Sequence, residues 1–476
     1  MATGHIEDYR DDESITVHRN MEILHTFNSF LHNEATGGIL LLICAVTAVI
    51  MATIPEGQWF DRMWDTSASL SIGSFSIDMT LRNWINDALM AVFFFYVGLE
   101  IKREMLVGQL SSIRRSILPI MAALGGMIVP ALIYTLFNHG NPEMAHGWGI
   151  PMATDIAFAI GVLSILGSRV PAGIKIFLTA LAIADDLGAI IVLAIFYPTH
   201  ALHLSYLLYV VLIMAVLYLF SRCHIRSRLL YILPGLVMWY FTYKSGVHAT
   251  ISGVLLAMVI PSRGNINEIK FQTKVNYLLK KFRVASNGEV HVLASPEQQH
   301  IIHSMEEEIH KVDPLMHIFE SRLHPAVTFL IMPLFALSNA GVAFDLGVFS
   351  GSIPTITSGI FFGLLIGKPA GIFLFSLLSI KCGMAQKPQG VSWKQLAAAG
   401  VLGGIGFTMS IFVNGLSFSD PVLTDLGKIS ILLTSVTAAI AGLIAVAATC
   451  RGKATQLTAA DILPAKTNRI KHGNVK

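Results

Sequence analysis

Asp185 and Asp186 stand side by side in the middle of an apolar run from Ile174 to Tyr197. A carboxylate at the centre of a bilayer costs about 2.5–3.5 kcal/mol on insertion scales and marks an ion or proton pathway. Two adjacent ones should roughly double that cost unless something binds them. Successive helical residues point about 100° apart, so the two cannot face one small ligand equally. The expected division places one carboxylate on an ion and the other beside it, or on a nearby cation. That geometry also argues against an aspartic-protease pair, whose carboxylates converge from separate elements to share a proton. A carboxylate held out of water takes either a proton or a hard cation with oxygen ligands. Competition between the two for one site, opened alternately to each side, is exchange. If two titrating groups release protons when one monovalent ion binds, the cycle moves net charge; the second group is the other aspartate or Lys368.

Other polar groups lie at membrane depth. The fourth apolar run carries Pro151 and Asp155, and the eleventh carries Gly400, Gly403, Gly404 and Gly406. Clustered Gly or Pro in corresponding spans of two halves points to a site of broken helices. Taking spans three to five and ten to twelve as units, both broken spans are the middle member. Lys368, in Gly367-Lys368-Pro369, is the one cation deep in the tenth run. Amide ends of a broken helix are partly positive and carbonyl ends partly negative. Asp155 suits the first, and Lys368 suits the second or one of the aspartates.

The elements that must position these groups follow from composition. Of 476 residues 54% are hydrophobic and 13% charged, against about 25% charged in soluble domains. About twelve runs are long enough to cross a bilayer, centred near Cys44, Val92, Gly126, Ile160, Asp186, Met214, Val237, Leu255, Met332, Gly367, Ile405 and Thr437. This is an all-α polytopic membrane protein. The net charge of +3 lies in the loops and is no nucleic-acid signature. Basic residues crowd alternate loops, whereas Phe137 to Trp148, Tyr197 to Tyr206 and Phe344 to Thr355 have no Lys or Arg. The positive-inside rule then makes both termini cytoplasmic. Cys44, Cys223, Cys382 and Cys450 lack metal-ligand spacing and read as free thiols.

Residues 1–34 read as a mixed-charge cytoplasmic tail with a short surface helix from Met21 to His32, not as a cleavable leader. Spans one to eight occupy 35–261, spans nine to twelve 323–450, and a second tail 451–476. Leu70 to Ile77 alternates around Gly73-Ser74, a β-hairpin signal on the outer side. An extended cytoplasmic loop covers 262–322. Within it Ser295-Pro296-Glu297-Gln298 opens a helix to about Val312, with Ile301, Ile302, Met305 and Ile309 on one face.

Together these residues resemble the NhaA-type sodium/proton antiporters over Thr26 to Arg451. The resemblance rests on Val97-Gly98-Leu99-Glu100-Ile101-Lys102-Arg103-Glu104, Ala153-Thr154-Asp155-Ile156-Ala157-Phe158-Ala159, the run from Asp185, Lys244-Ser245-Gly246-Val247-His248-Ala249-Thr250, Phe335-Ala336-Leu337-Ser338-Asn339-Ala340-Gly341, Gly367-Lys368-Pro369 and Gly403 to Ser410. It implies inverted-topology repeats with two crossed discontinuous helices, spans four and eleven. It implies a transporter without cofactor in the bacterial inner membrane, exporting sodium or lithium for protons electrogenically and under pH control. Asp185 and Asp186 would bind the ion and the protons. Asp155 and Lys368 would balance helix dipoles, with Lys368 paired to Asp185, and Thr154 would line the site. Glu100, Arg103 and Glu320 would form a cytoplasmic pH-sensing cluster, His248 would modulate the response from the outer side, and a homodimer would join partly through the hairpin.

The 262–322 loop departs from the family's short connection and carries His291, His300, His303, His310 and His317. Histidine titrates near neutrality, so a regulatory sensor is one hypothesis and a solvated helix the other. Removing the loop and reading the pH–activity profile separates them. The alternative function is sodium-coupled organic-anion symport on related architecture, which needs a roomier polar cavity. An intramembrane aspartyl protease needs aspartates on two spans, and a channel needs carbonyl or acidic rings.

Overall fold

The computed structural model describes residues 34–72, 75–198, 201–223, 225–262, 268–285, 296–343 and 354–450. The expected helix at Met21 to His32 and both tails lie outside them, apart from Glu34. The chain is helical apart from one hairpin. In order run α1 (Glu34–Thr53), α2 (Met90–Leu106), α3 (Ile113–Phe137), α4 (Ile156–Ser164), α5 (Ala172–Phe196), α6 (Leu204–Arg222), α7 (Leu229–Ser245) and α8 (Ile251–Val259). Then follow α9 (Glu268–Val284), α10 (Pro296–Val312), α11 (Leu315–Ala326), α12 (Met332–Asn339), α13 (Thr355–Phe362), α14 (Lys368–Lys381), α15 (Trp393–Gly403), α16 (Phe407–Ser417) and α17 (Pro421–Thr449).

Among the described residues eight helices are long and apolar enough to cross a membrane, and ten if each of two bent pairs counts as one span. The bent pairs are Pro142–Met152 with Ile156–Ser164, at 44°, and Trp393–Gly403 with Phe407–Ser417, at 46°. These are the fourth and eleventh runs. The expected count of about twelve also includes α7 and α8, of 17 and nine residues. Large apolar side chains such as Leu204, Leu136 and Ile195 are 82%, 76% and 65% exposed. Apolar exposure on this scale belongs to a surface bathed in lipid.

Local chemistry explains the irregular segments. Proline cannot donate the helical N–H and its ring crowds the preceding turn. Two of the three widened π turns among the described residues, Val327–Ile331 and Gly363–Gly367, lie just ahead of Pro333 and Pro369. Helices α3 and α14 touch backbone to backbone at Gly125 and Gly371, where a Cβ on either would strike the other's carbonyl. That approach brings Lys368 into the protein interior.

The hairpin is longer than its alternating pattern suggests. Strands β1 (Ser67–Ile72) and β2 (Phe75–Thr80) pair antiparallel with Leu70 opposite Ile77. Ile77 and Met79 are buried and Leu70 is exposed. Helices α9 and α10 form a helical hairpin in the long loop. Its packed face differs from expectation: Gln298, Ile301 and Glu308 are buried, whereas Ile302 and Ile309 are exposed. Positions 298, 301, 305, 308 and 312 keep a three-and-four spacing, and the same spacing in α9 carries the buried Leu278 and the half-buried Phe271, Val275 and Phe282. Ile302 and Ile309 flank that stripe.

Candidate functional site

Each break carries a residue suited to a helix end. Residues Ala153 and Asp155 are extended, and Asp155 becomes the N-cap of α4 with its Oδ1 accepting from Phe158 N at 2.9 Å. Gly404 begins the other break, where a Cβ would lie 2.6 Å from the Leu364 carbonyl oxygen. Only a glycine lets the chain turn that close to its neighbour.

The two breaks lie against each other and complete each other's helix ends. Asp155 N–H donates to the Ile405 carbonyl at 2.8 Å. Its Oδ2 accepts from Thr408 N at 3.2 Å and from the Thr408 hydroxyl. One carboxylate thus caps the N-termini of α4 and α16 together. The carbonyl ends are met in kind: Ser410 Oγ donates to the Ile150 carbonyl at 2.9 Å, and Lys368 Nζ donates to that of Met152. Helix ends buried without such partners would leave amides and carbonyls unsatisfied.

Lys368 is fully buried and also pairs with Asp185, Nζ to Oδ2 at 3.1 Å. Thr154 Oγ1 lies 2.7 Å from the same Oδ2 and 3.2 Å from the Gly403 carbonyl. Asp185 Oδ1 is buried with no hydrogen-bond partner among the described residues. Asp186, one position on, is turned elsewhere. It is 3% exposed and lines a cavity of about 140 Å³ together with Glu100, Thr154 and Asp155. No hydrogen bond or ion pair engages Asp186 among the described residues. The pair is therefore divided between an internal cation and an open cavity.

Glu100 links this cavity to the charged cluster beyond it. Arg103 lies 3.9 Å from Glu100, 3.7 Å from Glu104 and 2.9 Å from Glu320. His248 stands apart from both groups. It is 2% exposed, in the connection between α7 and α8, with Nδ1 2.7 Å from Thr250 Oγ1 and Nε2 3.8 Å from Asp87 Oδ1. Burial pushes its pKa down to about 4. It lines a second cavity, of about 230 Å³, with Asp87, Asn86 and Asn339. The loop histidines are also separate: His303 faces Glu306 at 3.6 Å, His317 pairs with Asp313 at 2.8 Å, and His291 lies outside the described residues.

Several contacts at these sites were not anticipated. Thr408 and Ser410 complete the helix ends, and Asn86 and Asn339 exchange amide hydrogen bonds of 3.1 and 2.8 Å. Lys102 caps the carbonyl end of α8 through Met258 and Ile260, at 2.6 and 2.5 Å. The signal for Asn86, Asp87 and Asn339 was present, as polar residues inside apolar runs.

A family model described as Na+/H+ antiporter 1 matches residues 28–446. The chain is 43% identical over 425 residues to the Na(+)/H(+) antiporter NhaA of Wolinella succinogenes, covering 89% of this chain and 93% of that one. It is 44% identical over 432 residues to the protein of that name from Oleidesulfovibrio alaskensis, covering 91% and 96%. For the Helicobacter pylori protein the figures are 43% over 419 residues, covering 88% and 94%. With its apolar helices and this near-complete match, the chain belongs to the NhaA family of sodium/proton antiporters, multi-pass membrane transporters rather than enzymes.

Proposed function

We propose that the exchange runs through Asp186 and Asp185, moves net charge and is regulated by pH. The observation that carries this reading is the division of the pair: Asp186 lines a cavity, while Asp185 is held by Lys368 and Thr154. A sodium or lithium ion entering the cavity takes the Asp186 carboxylate and displaces its proton. As the ion draws on Asp185, the bond to Lys368 gives way and the Asp185–Lys368 pair releases a second proton. Two protons leave for one cation that binds, so one charge crosses per cycle. Asp155 and Lys368 hold the crossed breaks together through the cycle by neutralising their helix ends, and Thr154 steadies Asp185. No feature of the site favours organic-anion symport.

Glu100, Arg103 and Glu320 act as the pH-sensing cluster at the cytoplasmic mouth of the Asp186 cavity. His248 stays neutral over the working range and modulates the response through its contacts with Asp87 and Thr250. The protein works in the bacterial inner membrane with both termini cytoplasmic, as a homodimer joined partly by the β1–β2 hairpin. The test of charge movement uses sealed proteoliposomes with a luminal pH dye and valinomycin–potassium to set the potential. Sodium-driven proton flux should change with imposed potential; flux indifferent to potential would refute net charge movement.

A further inference from the structure

The α9–α10 hairpin takes no part in the ion site, and its two helices differ in charge. Helix α9 carries Lys270, Lys274, Lys280, Lys281 and Arg283 against Glu268 alone. Helix α10 carries Glu297, Glu306, Glu307 and Glu308 against Lys311. The opposite charges do not cancel across the hairpin: none of the five basic residues has an ion-pair partner among the described residues. The apolar face of α9 is spent on α10 through Phe271, Val275, Leu278 and Phe282.

The other face of α9 is unusual for a solvated helix. Ile269, Tyr277 and Val284 recur at eight and seven residues, which places them on one stripe. They are 72%, 52% and 84% exposed. Lys270, Lys281 and Arg283 flank the stripe and Lys280 lies within it, and Lys281 Nζ lies 5.1 Å from the centre of the Tyr277 ring. Apolar residues in a row between long cationic side chains are the pattern of a helix lying in a membrane interface. The hairpin is tied to the bilayer at both ends: eight residues separate α8 from α9, and only Asp313 and Pro314 separate α10 from α11.

We propose that α9 lies on the anionic phospholipid surface beside the transporter, with Ile269, Tyr277 and Val284 in the headgroup layer and the lysines on lipid phosphates. Charge selects the helix, since acidic α10 is repelled by the same surface and faces water. The leaflet is the cytoplasmic one, which rests on the topology proposed above.

The full chain, with its four cysteines replaced, is labelled with a nitroxide at Thr273→Cys on the α9 stripe or at Glu306→Cys on α10, and placed in lipid nanodiscs. Collisions with oxygen report lipid, and collisions with a soluble nickel chelate report water. In discs with about 30% phosphatidylglycerol, position 273 should favour oxygen and position 306 nickel. Purely zwitterionic discs should shift the oxygen-to-nickel ratio at 273 by about tenfold toward water. Charge reversal at Lys270, Lys280, Lys281 and Arg283 to Glu should do the same, with sodium/proton exchange kept to show an intact fold. Nickel access at 273 in both lipids would overturn the proposal. Protection from both reagents only in discs holding two copies would assign the face to a second copy and overturn it too. Reaction of the unlabelled Thr273→Cys variant with an impermeant thiol reagent in intact cells would overturn it through topology rather than through lipid contact.

Discussion

Removing the Lys368 ammonium isolates the largest electrostatic commitment in the site. In Lys368→Ala the Asp185 Oδ2 loses its partner at 3.1 Å and keeps only the Thr154 hydroxyl. The Met152 carbonyl loses the donor at the end of its helical segment. Breaking a buried pair from one side costs about 3–5 kcal/mol, because a desolvated charge is left behind. Replacing both members by neutral groups is often nearly free. Lys368→Ala should therefore destabilise by about 3 kcal/mol or more, a factor of at least about 100 in the folded-to-unfolded ratio. Lys368→Met with Asp185→Asn should return to within about 1 kcal/mol of wild type. The assay is equilibrium unfolding of purified protein in mixed micelles, followed by tryptophan fluorescence and repeated by heating. A single variant as stable as wild type, or a double variant no better than the single, would refute the argument that this pair is mutually required.

Asp155→Ala removes caps from α4 and α16 at once and should cost about 1–4 kcal/mol at about 0.5–2 per cap; Thr408→Val leaves both caps, removes only the hydroxyl bond to Asp155 and should cost less in the same unfolding assay. His248 has a folded pKa of about 4, below its unfolded value of 6.5. Protonation therefore favours the unfolded chain: stability is unaffected above pH 6.5 and falls as pH drops toward 4, by about 3 kcal/mol at full extent. His248→Gln should flatten that part of the profile, read as melting temperature against pH for both proteins. Arg103→Gln should cost no more than about 1 kcal/mol, because the arginine is partly exposed, yet shift the pH dependence of exchange; an unmoved profile would take the cluster out of regulation.

The aspartate pair, the two breaks and Lys368 were legible because each is a polar or helix-breaking residue inside an apolar run, where the background is uniform. What stayed hidden is reciprocity. Asp155 reaches Thr408 across 253 positions and Ser410 reaches Ile150 across 260, and no periodicity encodes which helix end meets which hydroxyl. Serine and threonine are also ordinary in membrane helices, so Thr408 and Ser410 entered only as part of the family run Gly403 to Ser410, with nothing to mark their contacts. The face of α10 was misread for a related reason: four isoleucines and methionines define a stripe only after the partner helix is known. Asp87 differs, since a charge beside Asn86 within an apolar run is the same kind of signal as Asp185 and was legible in the same way.

The central claim is that Asp186 carries the exchange. Wild type and Asp186→Asn would be reconstituted at equal density in tight vesicles with an imposed pH gradient and a luminal pH dye, and sodium added at several pH values. The proposed mechanism expects rapid sodium-driven pH change for wild type and none for the variant, with the variant melting no lower than wild type. Sodium-driven proton flux that survives Asp186→Asn would contradict it.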